Sequence, residues 1–263
     1  MYTRILSIRA ERVGQVRLYK VRAVVLKSVN IQEADQLLTL FSLEKGKMRV
    51  IAYGACKPTS RKRGAVQPFC HSQFLLRRGN GLDTVSQCEL LEMFPELRCR
   101  LDKLSYAAYL TELVDSMTAE EEPGEAIFKL LVETLRVLGN GDGELLARAF
   151  EIKLLTILGY QPCLESCVLC RGPIKGSRVV FNAGAGGVVC ATCAGKEGNG
   201  LLCCRGTVDF LKLLLRWDPG RLGQLQAGMA IRRELKEVLR SHLEYHLDRR
   251  IKSPRFLELL EHV

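Results

Sequence analysis

Two Cys-x-x-Cys pairs, Cys167/Cys170 and Cys190/Cys193, stand nineteen residues apart, and that spacing restricts what residues 163–200 can fold into. Each pair places two thiolates on one tight turn, covering one edge of a tetrahedron, and a second turn alongside completes it. Between them, Val179-Val180-Phe181 and Val188-Val189 flank a Gly-rich run from Asn182 to Gly187, the pattern of a short hairpin. Gly172 and Gly195 follow the pairs, where a chain turning away from a metal tends to need positive φ. Four thiolates leave no open position for water or substrate, and no His-Glu-x-x-His pattern stands nearby. The reading is one structural zinc ion on Cys167, Cys170, Cys190 and Cys193. Cys163 lies at a gap less suited to a knuckle, and Cys203 and Cys204 read as buried or idle thiols.

At 263 residues, 47% hydrophobic and 26% charged, the chain has the composition of a globular protein with room for two or three small domains. Eleven scattered cysteines, an odd number with no secretory-type segment before them, fit a reducing compartment better than a disulfide framework. No apolar run approaches the ~18 residues of a membrane span, so a soluble, cytoplasmic protein is expected. Residues 1–18 are basic without an apolar core and read as an N-terminal extension.

The net charge of +10 is unevenly spread. Residues 1–80 hold sixteen Lys and Arg against four Asp and Glu, whereas the remainder holds 23 against 25. So concentrated a surplus points to a polyanion partner, nucleic acid first. The same region reads as five short strands: Val21–Leu26, Gln36–Ser42, Met48–Tyr53, Ser72–Arg78 and Asp83–Met93. Gly46 takes the left-handed position of the second turn. Five strands in about 75 residues suit an OB-type barrel, and an SH3-like barrel gives nearly the same string. The connection Gly54–Gly64 carries Lys57, Arg61, Lys62 and Arg63 with no acid, and is expected to stay in water or meet an anion rather than enter a core. Arg49, Arg77 and Arg78 extend the positive face. Of the aromatics Phe41, Tyr53 and Phe69, at least two belong to core patterns rather than to base stacking.

After Pro95 the period changes to 3.6. One apolar face runs from Leu97 through Leu101 and Leu104 to Val114, a second from Ala126 to Leu138 and a third from Leu145 to Leu158. Their acids look solvated and too dispersed for an acid–base pair. Beyond the knuckles, a helix beginning at a Thr207 N-cap ends near Asp218-Pro219-Gly220. A longer segment, Gly228–Arg250, shows Arg232, Arg233, Lys236 and Arg240 on its polar side, and Ser253-Pro254 opens a last short helix. These four cations suit either an ordinary wet surface or a dock for an acidic peptide. His242 and His246, four apart, read as core-facing and solvated rather than as a metal pair. The fold class is thus α+β and multidomain: an OB-type barrel over 19–95, then a helical domain over 96–263 with the four-cysteine module inserted at 163–200.

In this order the chain resembles the RecO family of bacterial recombination mediators. The segments that carry the likeness are VRAVVLKSVNIQEADQLLTLFSLEKGKMRVIAYGA, KPTSRKRGAVQPF, RRGNGLDTVSQCELLEMFPELR, RAFEIKLLTILGYQP, the knuckles, and LEYHLDRRIKSPRFLELL. Arg171 stands where the family often has a glycine after the first knuckle. The resemblance implies no enzymatic turnover. It implies binding of single- and double-stranded DNA, strand annealing, and loading of RecA with RecR onto DNA coated by single-stranded DNA-binding protein (SSB), with RecF as a further partner and the nucleoid as the place of work. The residues alone leave two other classes open, an RNA-associated OB and zinc-ribbon protein and a metal-dependent hydrolase. Against the hydrolase stand the missing phosphate-cradling Gly-Lys-Ser/Thr loop and the lack of any His–acid arrangement.

Overall fold

The computed structural model describes residues 17–197, 200–216, 226–247, 251 and 253. Strands β1 (Leu18–Asn30), β2 (Gln36–Ser42), β3 (Gly46–Ala52), β4 (His71–Arg77) and β5 (Asp83–Glu92) close into a barrel in the order β1-β2-β3-β5-β4. Neighbours are antiparallel except β3 and β5, which meet in parallel at Val50–Asp83 and Ile51–Thr84. This closed five-strand order is that of an OB barrel. Gly46 is left-handed, at φ 67°, as expected for its turn.

β1 runs well beyond the apolar stretch Val21–Leu26, because a strand wrapping a closed barrel needs two partners. Its first half pairs with β4 and its second with β2, with an irregularity between Val25 and Lys27. Val21, Ala23 and Val25 point inward with Leu38, Leu40, Val50, Phe74 and Leu76. Val24, Leu26 and Phe41 point outward and join the core of the helices. A strand buried on both faces shows a continuous apolar run instead of alternation.

The connection between β3 and β4 departs from expectation. It does enter a core: successive turns fold it across the barrel, where Ala55 and Val66 join the interior and Ala65 and Cys70 are also buried. Its small apolar side chains face in while Lys57, Arg61 and Arg63 remain exposed.

Helices α1 (Pro95–Arg98), α2 (Leu101–Met117), α3 (Glu125–Leu138) and α4 (Gly143–Ile157) follow. The first apolar face proves to be divided: Leu97 is buried from α1, and Leu101 is exposed at the start of α2. Asp142 caps α4 by accepting from the Leu145 amide at 3.1 Å. The third face is also too narrow a description, since α4 is buried almost all round and packs on α2, α3 and two later helices. Its Arg148 and Glu151, not singled out from sequence, are paired inside the core.

The four-cysteine module comprises β6 (Arg178–Asn182), β7 (Gly187–Val189), α5 (Ala191–Glu197) and β8 (Leu201–Cys204). β6 and β7 form the expected hairpin, and β8 adds a third strand beside β6. β8 contains Cys203 and Cys204, so Cys203 is buried as a strand residue. α6 (Arg205–Arg216) and α7 (Met229–His246) complete the described chain. α6 starts two residues before Thr207, whose hydroxyl donates to Glu234 of α7 instead of capping the helix. α7 ends at His246, where Leu247 is already extended, short of the expected end at Arg250. The expected stop at Asp218-Pro219-Gly220, the helix from Pro254 and the extension before Arg17 lie outside the described residues. Among the described residues, no helix is long and apolar enough to cross a membrane.

Candidate nucleic-acid interface and metal centre

Strand register builds one outward face on the barrel. Lys27 of β1, Thr39 of β2 and Arg49 of β3 lie opposite one another in one row, and Val29, Leu37 and Ile51 in the next. The second row continues through Thr84 of β5 to Arg77 of β4, so Arg77 ends the row that holds the apolar residues and Arg49 lies in the row beside them. Arg78 follows Arg77 and is exposed. Lys27, Val29, Leu37, Thr39 and Arg49 line a groove of about 510 Å³ whose other wall is the C-terminal turn of α2 and Thr118–Glu120. Lys27, Val29, Leu37 and Thr39 were not singled out from sequence: alternation in β2 places Leu37 and Thr39 opposite the inward Leu38 and Leu40, but only the irregularity between Val25 and Lys27 turns Lys27 and Val29 outward.

The cations of the β3–β4 connection divide into two kinds. Lys57, Arg61 and Arg63 are exposed. Lys62 is a clamp: its Nζ donates to the carbonyls of Val85 at 2.7 Å and Tyr53 at 3.3 Å, tying the connection to β5. Phe41 is fully buried, Phe69 is half-buried against the helical core, and only Tyr53 is exposed. Core therefore claims two of the three aromatics.

The helical domain reaches back to this face. Glu120 pairs with Arg49 at 2.9 Å, and the Glu121 amide donates to the Lys47 carbonyl at 2.8 Å. Lys47 is a link between the two domains, bonded through Nζ to the Asp115 carbonyl and 3.5 Å from its carboxylate. Gly46 passes so close to the Glu122 carbonyl that a Cβ there would collide with it.

In the module, the four sulfurs of Cys167, Cys170, Cys190 and Cys193 lie within 4.8 Å of one another, a set able to hold a metal ion. Burial raises the Cys167 thiol, but amides of Cys170, Cys190 and Leu169 outweigh it and bring its pKa down to about 6. Cys193, hydrogen-bonded to the three other thiols, is pushed up to about 12. Four crowded sulfurs cannot all ionise without a cation among them, and a soft divalent ion fits that donor set. Cys163 is not in the cluster; its thiol faces the Ser166 carbonyl at 3.6 Å. The positive φ falls on Arg171, at 59°, rather than on Gly172, and Gly195 lies within α5. The amide of Cys167 bonds the Gly172 carbonyl and that of Arg171 bonds the Cys167 carbonyl, so the turn closes around Arg171.

On α7 the four cations are not equivalent. Arg232 reaches Asp142 at 2.6 Å and Glu144 at 2.8 Å and ties α7 to the start of α4. Arg233 is 77% exposed, with Glu237 at 3.8 Å, and Arg240 pairs with Glu244 at 2.9 Å. His242 is buried with Nε2 2.8 Å from the Tyr160 carbonyl, and His246 stacks on the Tyr160 ring at 4.4 Å. The two histidines pack the module against α7 through Phe181 and Tyr160. Within the helical core, Arg148 pairs with Glu151 at 2.7 Å, and the Tyr109 hydroxyl donates to the same carboxylate at 2.5 Å. This buried trio went unseen in sequence, because an i,i+3 charge pair looks the same on a wet helix.

The sequence matches known protein families along most of its length. The family model described as Recombination protein O N terminal matches residues 16–94, and that for the C terminal matches 98–255. The chain belongs to the RecO family. DNA repair protein RecO of Pelotomaculum thermopropionicum is 48% identical over 243 residues, covering 92% of this chain and 94% of that protein. The Desulforamulus reducens protein of that name is 45% identical, covering 93% and 96%, and that of Moorella thermoacetica is 40% identical, covering 91% and 90%. Membership in RecO assigns the chain to DNA repair and recombination, as a mediator rather than an enzyme.

Proposed function

We propose that this RecO-family chain binds single- and double-stranded DNA on the outer face of β1–β3 and β4, anneals complementary strands, and with RecR helps place RecA on SSB-coated DNA. The observation that supports it most is the outward face itself, where Arg49 and Arg77 lie beside the apolar row Val29, Leu37 and Ile51. Cations neutralise phosphates, and an apolar strip accepts bases without reading their identity. Lys57, Arg61, Arg63 and Arg78 extend the same field from the neighbouring loops, while Lys62 holds its loop in place. Neutralising phosphates on two strands at once lowers the repulsion that opposes pairing. Phosphate contacts carry no sequence information, so binding is salt-sensitive and nearly sequence-independent.

The test is annealing of SSB-coated oligonucleotides with and without RecR across a salt titration, with RNA as competitor. Annealing that RecR modulates, and that RNA does not outcompete, supports the reading. Preference for RNA with no annealing overturns it in favour of an RNA-associated protein. The cysteine cluster is proposed to hold one structural zinc ion. Metal analysis should return one zinc per chain, and a chelator should unfold the module before it alters DNA affinity. Arg233, Lys236 and Arg240 are proposed to receive the acidic tail of SSB, with Arg232 serving to fix α7. Charge reversal of Arg233 and Arg240 should weaken tail-peptide binding, and unchanged binding removes α7 from that role. RecF is a further proposed partner, and the nucleoid of the bacterial cytoplasm the proposed location.

A further inference from the structure

The segment joining α2 to α3, Thr118–Gly124, carries Glu120, Glu121 and Glu122 with no basic residue. Sequence alone suggests a solvated acidic turn. In the fold it is anchored to the most basic part of the molecule. Backbone pairing joins Lys47 to Glu120, the Glu121 amide bonds the Lys47 carbonyl at 2.8 Å, and the side chain of Glu120 meets Arg49 at 2.9 Å. Two features show that the approach is built in. Gly46 lies against the Glu122 carbonyl where no side chain fits, and Glu121 adopts φ 62°, a left-handed conformation unfavourable for a glutamate. Yet the Arg49–Glu120 pair is not sealed: its side chains are 52% and 51% exposed, so solvent and a competing anion can reach both.

We infer that the acidic α2–α3 segment is a built-in competitor for nucleic acid, its Glu120 carboxylate holding Arg49 in the place that a phosphate takes on binding. This inference rests on the barrel-face reading above. A carboxylate and a phosphate oxygen present the same charge-assisted acceptor to a guanidinium, so binding exchanges one anion for the other. The backbone anchor keeps the segment against the barrel after exchange, since only the Glu120 side chain needs to swing out. Loose polyanions must displace Glu120, whereas a strand engaging the whole face does so through its other contacts. The segment therefore raises discrimination against weak, partial contacts at some loss of affinity.

The experiment is fluorescence anisotropy of a labelled single-stranded oligonucleotide at low salt on the full chain. The variants are Glu120→Gln, Arg49→Gln, the double variant, and Glu133→Gln, which removes the same unit of charge from an exposed position on α3. Glu120→Gln should tighten binding about two- to fivefold, the scale of one exposed ion pair. The gain should disappear in the Arg49→Gln background, and Glu133→Gln should show no comparable gain. An equal gain in Glu133→Gln, or one that persists without Arg49, overturns the inference, because it would reflect net charge only. Weakened binding in Arg49→Gln with no effect of Glu120→Gln overturns the inference and leaves the barrel-face reading standing. Wild-type binding by all four variants overturns both.

Discussion

The three neighbouring cations Arg61, Lys62 and Arg63 should separate cleanly on substitution. Arg61 and Arg63 are exposed, whereas Lys62 donates to the carbonyls of Val85 and Tyr53. Each phosphate contact on a single strand contributes about −0.7 to the slope of log affinity against log salt. Changing Arg61 and Arg63 to Gln should therefore flatten the slope by about 1.4, with little change in Tm. Lys62→Met should do the reverse. It removes the donor from the Val85 carbonyl, whose residue is buried, at about 1–3 kcal/mol for an unsatisfied group. For a chain of this size that lowers Tm by roughly 2–12 °C, taking about 2–4 °C per kcal/mol. Anisotropy titrations from 50 to 200 mM salt, roughly the range over which phosphate contacts are best resolved, and thermal unfolding read the two effects separately. A Lys62→Met variant that keeps its Tm and loses as much slope as an arginine would refute the assignment.

Three further outcomes follow from the same structure. Glu151→Ala strands Arg148 in the core and should cost about 3–5 kcal/mol in denaturant unfolding, while the triple change Tyr109→Phe, Arg148→Met and Glu151→Leu, which removes every member of the buried trio, should be near neutral; equal losses in both would count against a buried polar network. Arg171→Gly relieves a left-handed backbone and should raise Tm by about 1–3 °C, and a fall would mean that the Arg171 side chain supports its turn. Burial lowers the pKa of His242 below the usual 6.5, and the same holds for His71 and His246. The unfolded chain then binds protons first, so this stability is complete above pH 6.5 and is lost as pH falls through the folded values. Unfolding free energy should decline from pH 7.5 to about 5, less steeply in His242→Gln, and a flat profile would contradict it.

Local signals in the chain were enough to specify the barrel strands, the four-thiol cluster, the hairpin between its halves and the front-loaded positive charge. Each depends on spacing or period within a few residues: alternation for β2, Gly46 in a turn, two thiols per knuckle. What remained hidden depends on which distant groups meet. Lys62 and Arg61 are indistinguishable as neighbours in sequence, and only the approach of β5 makes one a clamp. Arg232 and Arg233 differ in the same way, since the start of α4 lies against one and water against the other. The pairing of Glu120 with Arg49 spans 71 positions, far beyond the few residues over which spacing and period carry a signal. Sequence determined which groups carry charge and which strands form; tertiary packing decided which charges stay free to meet an anion, because an ion's role depends on the neighbours that fold against it.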